Sequence, residues 1–237
     1  MDSTRKTARV AGIRYLLAGI TAPFSLIYVP RILIVPGDAT ATANHVRSSG
    51  TLLRLAIASE LFSSIMFIFV VLALYRLLKG VDQKHALAMV TLFLVSVPIS
   101  LLNVLNEIAT LVLVSGADYL SVFEKRQLDA LAFLFLRLHG QGIIVASIFW
   151  GLWLLPFGIL VIRSGFIPRI LGVLLILAGS AYPVSSFTAL FLPQYAHLVS
   201  QFAMVLEAGE IPIVLWLLIW GAKGQPSDAP SSSSAGG

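Results

Sequence analysis

The chain has 237 residues, of which 58% are hydrophobic and only 11% are charged. A soluble domain has about 25% charged residues, so this chain has too little charge to cover a water-facing surface, and its mean hydropathy of +0.93 predicts a membrane protein. The net charge of +5 comes from basic residues scattered near the ends of apolar runs, which argues against a nucleic-acid partner, and the absence of cysteine excludes disulfides, thiolate metal sites and cysteine nucleophiles.

The first apolar run covers about residues 10–29 and follows a short basic segment, residues 1–9. A basic start before an apolar run is typical of a secretory signal peptide. However, this run leads into Pro30-Arg31 without a convincing small-x-small cleavage site. We therefore predict a retained first membrane helix after a cytoplasmic N-terminus, with a signal peptide as the alternative. In the loop that follows, Asp38 is placed to cap a short helix rich in alanine and threonine.

Five further apolar runs are long enough to cross a bilayer, since a membrane-spanning helix needs about 20 mostly apolar residues. The segment 115–138 has apolar residues at helical spacing against charged ones, which is typical of an interfacial helix. Residues 222–237 have no apolar surface to bury and are predicted to be a disordered tail. We therefore predict an all-α fold: a six-helix transmembrane bundle over residues 10–221, with one short interfacial helix. The five further spans are predicted at about 52–78, 86–114, 140–162, 168–192 and 198–220.

The fourth and fifth runs are joined by a compact basic turn, and residues 162–172 read IRSGFIPRILG. A turn this short predicts a helical hairpin in the membrane. Together with Leu138-His139 and the segment Ile34–Asp38, this string resembles the family named domain of unknown function 4386, whose members are small bacterial integral membrane proteins. The resemblance runs from about Ala8 to Gly221 and implies a bacterial inner-membrane protein. It implies no catalytic or binding residue, because the family has no established activity.

The basic residues also predict an orientation. Basic residues near helix ends tend to stay in the cytoplasm. With six spans, ten basic residues fall on one side and six on the other, so we predict that both termini are cytoplasmic. The larger set is Arg5, Lys6, Arg9, Arg14, Arg76, Lys79, Lys84, Arg163, Arg169 and Lys223, and the smaller set is Arg31, Arg47, Arg54, Lys125, Arg126 and Arg137.

Small residues and prolines predict how the helices pack and bend. Small residues let helix backbones approach closely in lipid, so stripes of them should join the fourth and fifth spans. Five of the six spans contain a proline, which predicts a bent bundle. The stripes are Gly140, Ser147, Gly151 and Gly158 in the fourth span, and Gly172, Gly179 and Ser186 in the fifth; the prolines are Pro23, Pro98, Pro156, Pro183 and Pro212.

Polar side chains inside the apolar runs are the candidate functional residues. The third span has five polar positions on one helix face, which must point into the bundle or into a wet cavity. An unpaired carboxylate near the bilayer centre costs about 2.5 kcal/mol or more, so each acidic residue needs compensation. The polar face consists of Ser96, Ser100, Asn103, Glu107 and Thr110. The candidate ligand-binding or pathway residues are Glu60, Asn103, Asn106, Glu107, Glu207 and Glu210.

Three interpretations of these residues stay open at this point. In the first, the asparagines bond neighbouring helices, while Glu107 and Glu207 pair with Arg54 or Arg137 or stay protonated. In the second, the residues form a pathway for a solute or for protons between spans two, three and six, or a pocket for a ligand. The third is catalysis, which we do not favour because the sequence has no recognisable catalytic or nucleotide-binding motif.

The histidines do not predict a cofactor or a metal site. His139 and His197 fall at the predicted outer ends of spans four and six, and neither has a second histidine one turn away. We therefore predict a non-enzymatic multi-pass membrane protein, without cofactor or metal, whose polar pocket binds or moves a lipid or a small solute. Its partners would be the bilayer and that ligand, and no nucleic acid. The alternative is a structural or regulatory subunit that binds another membrane protein.

Overall fold

The computed structural model describes residues 2–221, so the predicted disordered tail lies outside the described residues. Within this range the chain forms helices and no strand. Six helical stretches are long and apolar enough to cross a membrane. The predicted all-α membrane bundle of six spans is therefore confirmed. The stretches cover Arg9–Leu33, Gly50–Leu78, Gln83–Leu113, Lys125–Ser164, Arg169–Phe191 and Pro193–Ile219.

Ten α-helices build the described part of the chain. The second, third and fifth spans are single helices, whereas the first, fourth and sixth spans combine two helices each. Residues 125–138, which the sequence places largely in an interfacial helix, continue without a break into the fourth span. The helices are α1 (Asp2–Pro23), α2 (Val29–Leu33), α3 (Ala39–Ser48), α4 (Gly50–Leu78), α5 (Gln83–Leu113), α6 (Lys125–Leu152), α7 (Leu154–Ser164), α8 (Arg169–Phe191), α9 (Pro193–Glu207) and α10 (Ile211–Ile219).

The short helix α3 begins as predicted from its capping residue. Asp38 has extended backbone geometry, and its Oδ1 accepts a hydrogen bond from the backbone N–H of Ala41 at 2.8 Å. The hydroxyl of Thr42 then bonds back to the preceding loop, where the N–H of Val35 donates to it at 2.9 Å. These bonds fix the loop between the first and second spans to the first turn of α3.

Three spans are interrupted, and each interruption lies near a proline. The first span passes through a π-helical turn, Phe24–Tyr28, immediately after Pro23. The fourth span breaks at Trp153, three residues before Pro156. The sixth passes through a 3-10 turn, Ala208–Glu210, before Pro212. The other two prolines of the predicted set lie inside continuous helices, α5 and α8.

The interruption of the sixth span follows from proline chemistry. Pro212 has no N–H, so it cannot donate to the carbonyl of Ala208 as the next turn of an α-helix would require. The N–H of Ile211 donates to that carbonyl instead, which tightens the turn to 3-10 geometry. This shift leaves Glu210 at a break in the helix rather than within a regular turn.

Glycines bring the fourth and fifth spans into backbone contact. A Cβ atom placed on Gly158 would lie 2.6 Å from the carbonyl oxygen of Gly172, and one on Gly151 would lie 2.6 Å from that of Gly179. Real Cβ atoms do not approach so closely, so only glycine fits at these crossings. The turn between the spans places Gly165 at φ 71°, a conformation that glycine adopts without strain. The predicted stripes therefore meet along the hairpin, except at Gly140, where an added Cβ would contact nothing within 4 Å.

Aromatic side chains fill the centre of the bundle around Trp153. The Trp153 ring stacks on Phe157 and meets Phe93 edge-on, with centroid separations of 5.5 Å in both pairs. Tyr15 and Phe67 extend this cluster, with their centroids 5.3 Å apart. Offset and edge-on contacts of this kind favour aromatic packing beyond the burial of area alone. The cluster joins the first, second, third and fourth spans.

Polar contacts between loops distinguish the two ends of the bundle. At one end, Arg163 Nη1 lies 2.8 Å from Asp82 Oδ2, and Arg9 donates a hydrogen bond to the carbonyl of Ile219. Asp82 also caps α5, and the hydrogen bond from the backbone N–H of His85 lowers the pKa of its carboxyl group. The loops that contain Asp82 and Arg163 thus lie on the same side of the bundle as the start of the first span and the end of the sixth span.

At the opposite end, one buried carboxylate binds two basic side chains. Asp129 accepts hydrogen bonds from Arg47 and from Lys125, and the Lys125 Nζ distance is 2.9 Å. The Asp129 side chain is 2% exposed, whereas that of Lys125 is 64% exposed. Asp129 therefore anchors the end of α3 to the start of α6.

Replacing Asp129 by Ala should destabilise the protein by about 1–3 kcal/mol, because a buried acceptor of two charged hydrogen bonds is lost. Lys125→Ala is the matched control and should cost no more than about 1 kcal/mol, since its ammonium group is largely in solvent. Thermal unfolding in detergent measures both. Equal losses for the two variants would contradict the role assigned to Asp129.

Candidate functional site

Three ionisable side chains from three helices meet inside the bundle. Glu60 lies on α4, Glu107 on α5 and His139 on α6, and all three are buried. His139 Nε2 lies 3.2 Å from Glu60 Oε2 and 4.0 Å from Glu107 Oε2. We refer to these three residues as the Glu–His–Glu cluster. One donor atom from each lies within 4.8 Å of the others, so the cluster could hold a metal ion.

An asparagine network beside the cluster holds α5 against α6. Asn103 Nδ2 donates a hydrogen bond to the backbone carbonyl of His139 at 2.9 Å, and Asn106 Nδ2 donates to Asn103 Oδ1 at 3.0 Å. One turn further along, the Thr110 hydroxyl lies within bonding distance of the Ala132 carbonyl, at 3.3 Å. The bond of Asn103 crosses from α5 to α6, as the first interpretation predicts. That prediction is wrong for Asn106, whose hydrogen bonds stay within α5.

Gly142 makes the approach of the Asn103 amide possible. A Cβ atom at this position would overlap the side-chain amide of Asn103. Because Gly142 on α6 has no side chain, the amide of Asn103 on α5 can reach the carbonyl of His139 on α6. This contact sets the backbone position from which the His139 ring projects.

The structure excludes one of the two arrangements expected for Glu107 and Glu207, and it corrects the predicted position of His139. Among the described residues, neither Glu107 nor Glu207 forms an ion pair with Arg54 or Arg137, and Glu107 lies beside His139 instead. His139 was predicted at the outer interface as a solvated histidine, but its side chain is only 9% exposed and faces two carboxylates. The prediction was wrong because α6 begins at Lys125, which places His139 in the middle of a long helix rather than at its start.

A second acidic group lies between the first, fifth and sixth spans. The Tyr15 hydroxyl donates a hydrogen bond to Glu210 Oε1. Tyr182 and Glu207 line the same space as this pair. Two acidic side chains and two phenols thus lie where the sixth span is interrupted.

A cavity of about 700 Å³ connects these regions. Its wall is mostly apolar and aromatic, with the acidic side chains of Glu60, Glu207 and Glu210 and a series of hydroxyl groups. Within the described part of the chain, no lysine, arginine or histidine lines it. The serines of the wall are Ser25, Ser63, Ser64, Ser96, Ser100, Ser147, Ser185 and Ser186, and its aromatic residues are Tyr15, Phe67, Phe93, Trp150, Trp153 and Tyr182.

A comparison with models of known protein families shows which family the chain belongs to. The model of the family described as domain of unknown function (DUF4386) matches residues 10–221. The chain belongs to this family. Searches of curated proteins and of solved structures gave no match to it. The resemblance seen in the sequence is therefore confirmed over the whole membrane domain, and the family description assigns no activity to the cavity or to the cluster.

The cavity separates the six predicted site residues of this DUF4386 member into two groups. Glu60, Glu207 and Glu210 line the cavity. Asn103, Asn106 and Glu107 are not among its lining residues and lie behind the wall, on α5. Glu60 is the link between the groups, because it lines the cavity and also contacts His139.

The three helix interruptions all face this cavity. Its lining includes Ser25, Leu26 and Ile27 of the π-helical turn, Trp153 at the break in the fourth span, and Glu210 of the 3-10 turn. Irregular backbone is tolerated at membrane depth where it lines a cavity or is buried in protein, since its polar groups then find partners away from lipid. In many transporters, interrupted helices of this kind surround the substrate site.

Sequence reasoning missed the histidine and the tyrosines of the site. His139 had been assigned to the interface, and Tyr15 and Tyr182 lie in apolar runs where they read as ordinary aromatic residues. A signal did exist for Tyr15, because a phenol inside a membrane helix needs a hydrogen-bond partner and the intramembrane carboxylates offer one. The sequence does not indicate which of these carboxylates is the hydrogen-bond partner of Tyr15.

Proposed function

We propose that this DUF4386 member is a non-enzymatic membrane protein whose cavity binds a lipid-like or small organic molecule that bears an ammonium group or other hydrogen-bond donors. The observation that supports this is the charge of the wall. Three carboxylate side chains, Glu60, Glu207 and Glu210, line the cavity, without any basic side chain among the lining residues. Such a wall favours cations and donors over the anionic head groups of common lipids.

The apolar and aromatic parts of the wall fit the rest of such a molecule. Trp150, Trp153 and Phe93 are among the residues that line the cavity. An organic ammonium group binds well to aromatic faces through cation–π attraction, most strongly where water is excluded. The volume, about 700 Å³, is also in the range of cavities that bind small organic molecules.

The helix interruptions support a role in moving the bound molecule as well as binding it. Helix breaks at Phe24–Tyr28, Trp153 and Ala208–Glu210 lie on three spans that surround one cavity. Breaks in several spans around one cavity let the segments on either side move relative to one another. Binding comes first in this proposal, because transport requires it.

The first test compares a cationic and an anionic amphiphile. Protein in nanodiscs of zwitterionic lipid is titrated with dodecylammonium and with dodecyl sulfate, and tryptophan fluorescence is read because Trp150 and Trp153 line the cavity. We expect dodecylammonium to bind at least about tenfold more tightly, which corresponds to about 1.4 kcal/mol. Equal binding of the two probes, or tighter binding of the sulfate, would contradict the proposed selectivity.

Substitutions locate that binding. Glu207→Gln and Glu210→Gln should each weaken dodecylammonium binding by about tenfold, since each removes one charge of the wall. Asp118→Asn is the matched control, because Asp118 is an exposed acidic residue outside the cavity, and binding should not change. Native mass spectrometry of gently extracted protein then shows whether a small molecule is retained. A ligand-free protein that is unstable when expressed alone would favour the alternative, a structural or regulatory subunit of a membrane complex.

We further propose that the protein resides in the bacterial inner membrane with both termini in the cytoplasm. The excess of basic residues on the side of the termini supports this orientation. A green fluorescent protein fused after Lys223 should be fluorescent, and an alkaline phosphatase fused there should be inactive. Phosphatase fused in the loop between α3 and α4, near Ser49, serves as the matched control and should be active. The reverse pattern would overturn the orientation.

A further inference from the structure

The Glu–His–Glu cluster contains two carboxylates with too few hydrogen-bond donors to satisfy them. Glu60 is 6% exposed and Glu107 is 3% exposed. Among the described residues, Glu60 Oε1 and Glu107 Oε2 are buried without a hydrogen-bond partner. His139 Nε2 can donate one proton at most, and Glu60 Oε2 is its nearer acceptor, at 3.2 Å. Buried acceptors without partners are rare in folded proteins, and a bound ion is one of the arrangements that satisfies them.

We propose that Glu60, Glu107 and His139 bind one divalent transition-metal cation, of which Zn²⁺ fits best. A divalent cation balances the two carboxylates and accepts a lone pair of Glu107 Oε2, which has no donor. The spacing agrees with a shared ion. Ligand atoms about 2.0–2.1 Å from a tetrahedral Zn²⁺ are about 3.3 Å from each other, and the distances from His139 Nε2 to the two carboxylate oxygens, 3.2 and 4.0 Å, lie on either side of this value.

The donor set selects the class of metal. One imidazole and two carboxylates form a mixed nitrogen and oxygen set, which suits first-row divalent ions better than Mg²⁺ or Ca²⁺, since those prefer oxygen alone. Sulfur plays no part, because the chain has no cysteine. Three protein ligands leave a fourth position for water or for an oxygen of another molecule.

The surroundings of the cluster fix the ligands in place. Each ligand comes from a different helix, so its position is set by the packing of α4, α5 and α6 rather than by a mobile loop. The bond from Asn103 to the backbone carbonyl of His139 holds the histidine segment. Rigid support of this kind around the ligands strengthens metal binding.

The competing arrangement is a hydrogen-bonded cluster in which the carboxylates share protons with His139. A protein with that arrangement would contain no stoichiometric zinc, whereas a protein with the metal site would. The hydrogen-bonded cluster would also show no preference for one divalent cation over another. Zinc content and zinc coordination therefore decide between the two.

The experiment measures zinc in the full chain, purified in detergent without a polyhistidine tag. Protein is treated with a chelator, loaded with Zn²⁺, passed through a gel-filtration column and analysed by plasma mass spectrometry. We expect about one zinc per chain, which excess Mg²⁺ does not displace. Glu107→Gln and His139→Gln should weaken zinc binding by at least about 100-fold.

Two matched controls test the assignment of those ligands. Glu207→Gln removes a different intramembrane carboxylate, and His197→Gln removes an exposed histidine. Both should keep one zinc per chain. Wild-type protein with no stoichiometric zinc, or cluster variants that keep it, would overturn the proposal.

A measurement on the wild-type protein tests the proposal even if the variants fail to fold. Zinc X-ray absorption should show a first shell of nitrogen and oxygen with the signature of a single imidazole. A shell with two or more imidazoles would place the zinc at other histidines and would overturn the proposal. Neither measurement depends on amphiphile binding, so the metal site and the proposed cavity function succeed or fail separately.

Discussion

Gly158→Ala should destabilise the bundle by about 1–3 kcal/mol, although it adds only one methyl group. The new Cβ would lie 2.6 Å from the carbonyl oxygen of Gly172, and no rotation of a side chain can relieve a contact with backbone. Spans four and five would have to separate, and close packing in lipid would be lost along the whole hairpin. The expected result is a lower thermal midpoint and a lower yield of folded protein. Thermal unfolding in detergent, read by tryptophan fluorescence, measures it.

Gly140→Ala is the matched control on the preceding helix of the same span. A Cβ atom at Gly140 meets nothing within 4 Å, so the methyl group points into open space. Alanine also favours the helix over glycine by up to about 1 kcal/mol, so this variant should be neutral or slightly more stable. If both substitutions lowered the midpoint equally, a general loss of glycine flexibility would explain the result and the close crossing at Gly158 would not.

The fold was largely predictable because a membrane imposes one dominant constraint. Apolar runs of sufficient length must be helices, since the backbone has no other way to satisfy its polar groups in lipid. The hairpin was predictable from the turn at residues 162–172, and its close packing from glycines at helical spacing. The interruptions were predictable only in part. Pro156 and Pro212 correctly indicated points where a helix is interrupted. Pro98 is also a proline inside an apolar run, but it lies in a continuous helix.

The candidate site was less predictable because it depends on the register between helices. Periodicity places Glu107 on the polar face of its own helix, but it does not say which residue of α6 faces it. The start of α6 at Lys125 decides this, because it sets His139 at the depth of Glu60 and Glu107. The same limit explains why Asn103 and Glu107, four residues apart on one helix, have different surroundings. Asn103 bonds the backbone of α6, whereas Glu107 faces the His139 ring.

Glu60→Gln should weaken the binding of both dodecylammonium and zinc. This expectation depends on both the proposed cavity function and the proposed metal site. Glu60 lines the cavity and lies 3.2 Å from His139 Nε2, so its carboxylate contributes to both sites. Glutamine keeps the size and removes the charge. We expect about a tenfold loss of dodecylammonium affinity and at least about a 100-fold loss of zinc affinity. Fluorescence titration and zinc analysis on the same preparation measure the two effects.

Two single-site variants make that result specific. Glu107→Gln should lose zinc and keep dodecylammonium binding, because Glu107 does not line the cavity. Glu210→Gln should weaken dodecylammonium binding about tenfold and keep zinc, because Glu210 lines the cavity and lies outside the Glu–His–Glu cluster. If Glu60→Gln changed only one of the two affinities, the carboxylate would belong to one site alone and the link between them would be wrong.

Sharing of Glu60 also predicts that the two ligands compete. A zinc ion held by Glu60 neutralises one of three carboxylates in the cavity wall, so it should weaken the attraction of the wall for an organic cation. Linkage then requires that dodecylammonium weaken zinc binding by the same factor. We expect zinc to lower dodecylammonium affinity several-fold in the wild-type protein and to have no effect in Glu107→Gln. An unchanged affinity in zinc-loaded wild-type protein would show that Glu60 does not couple the sites.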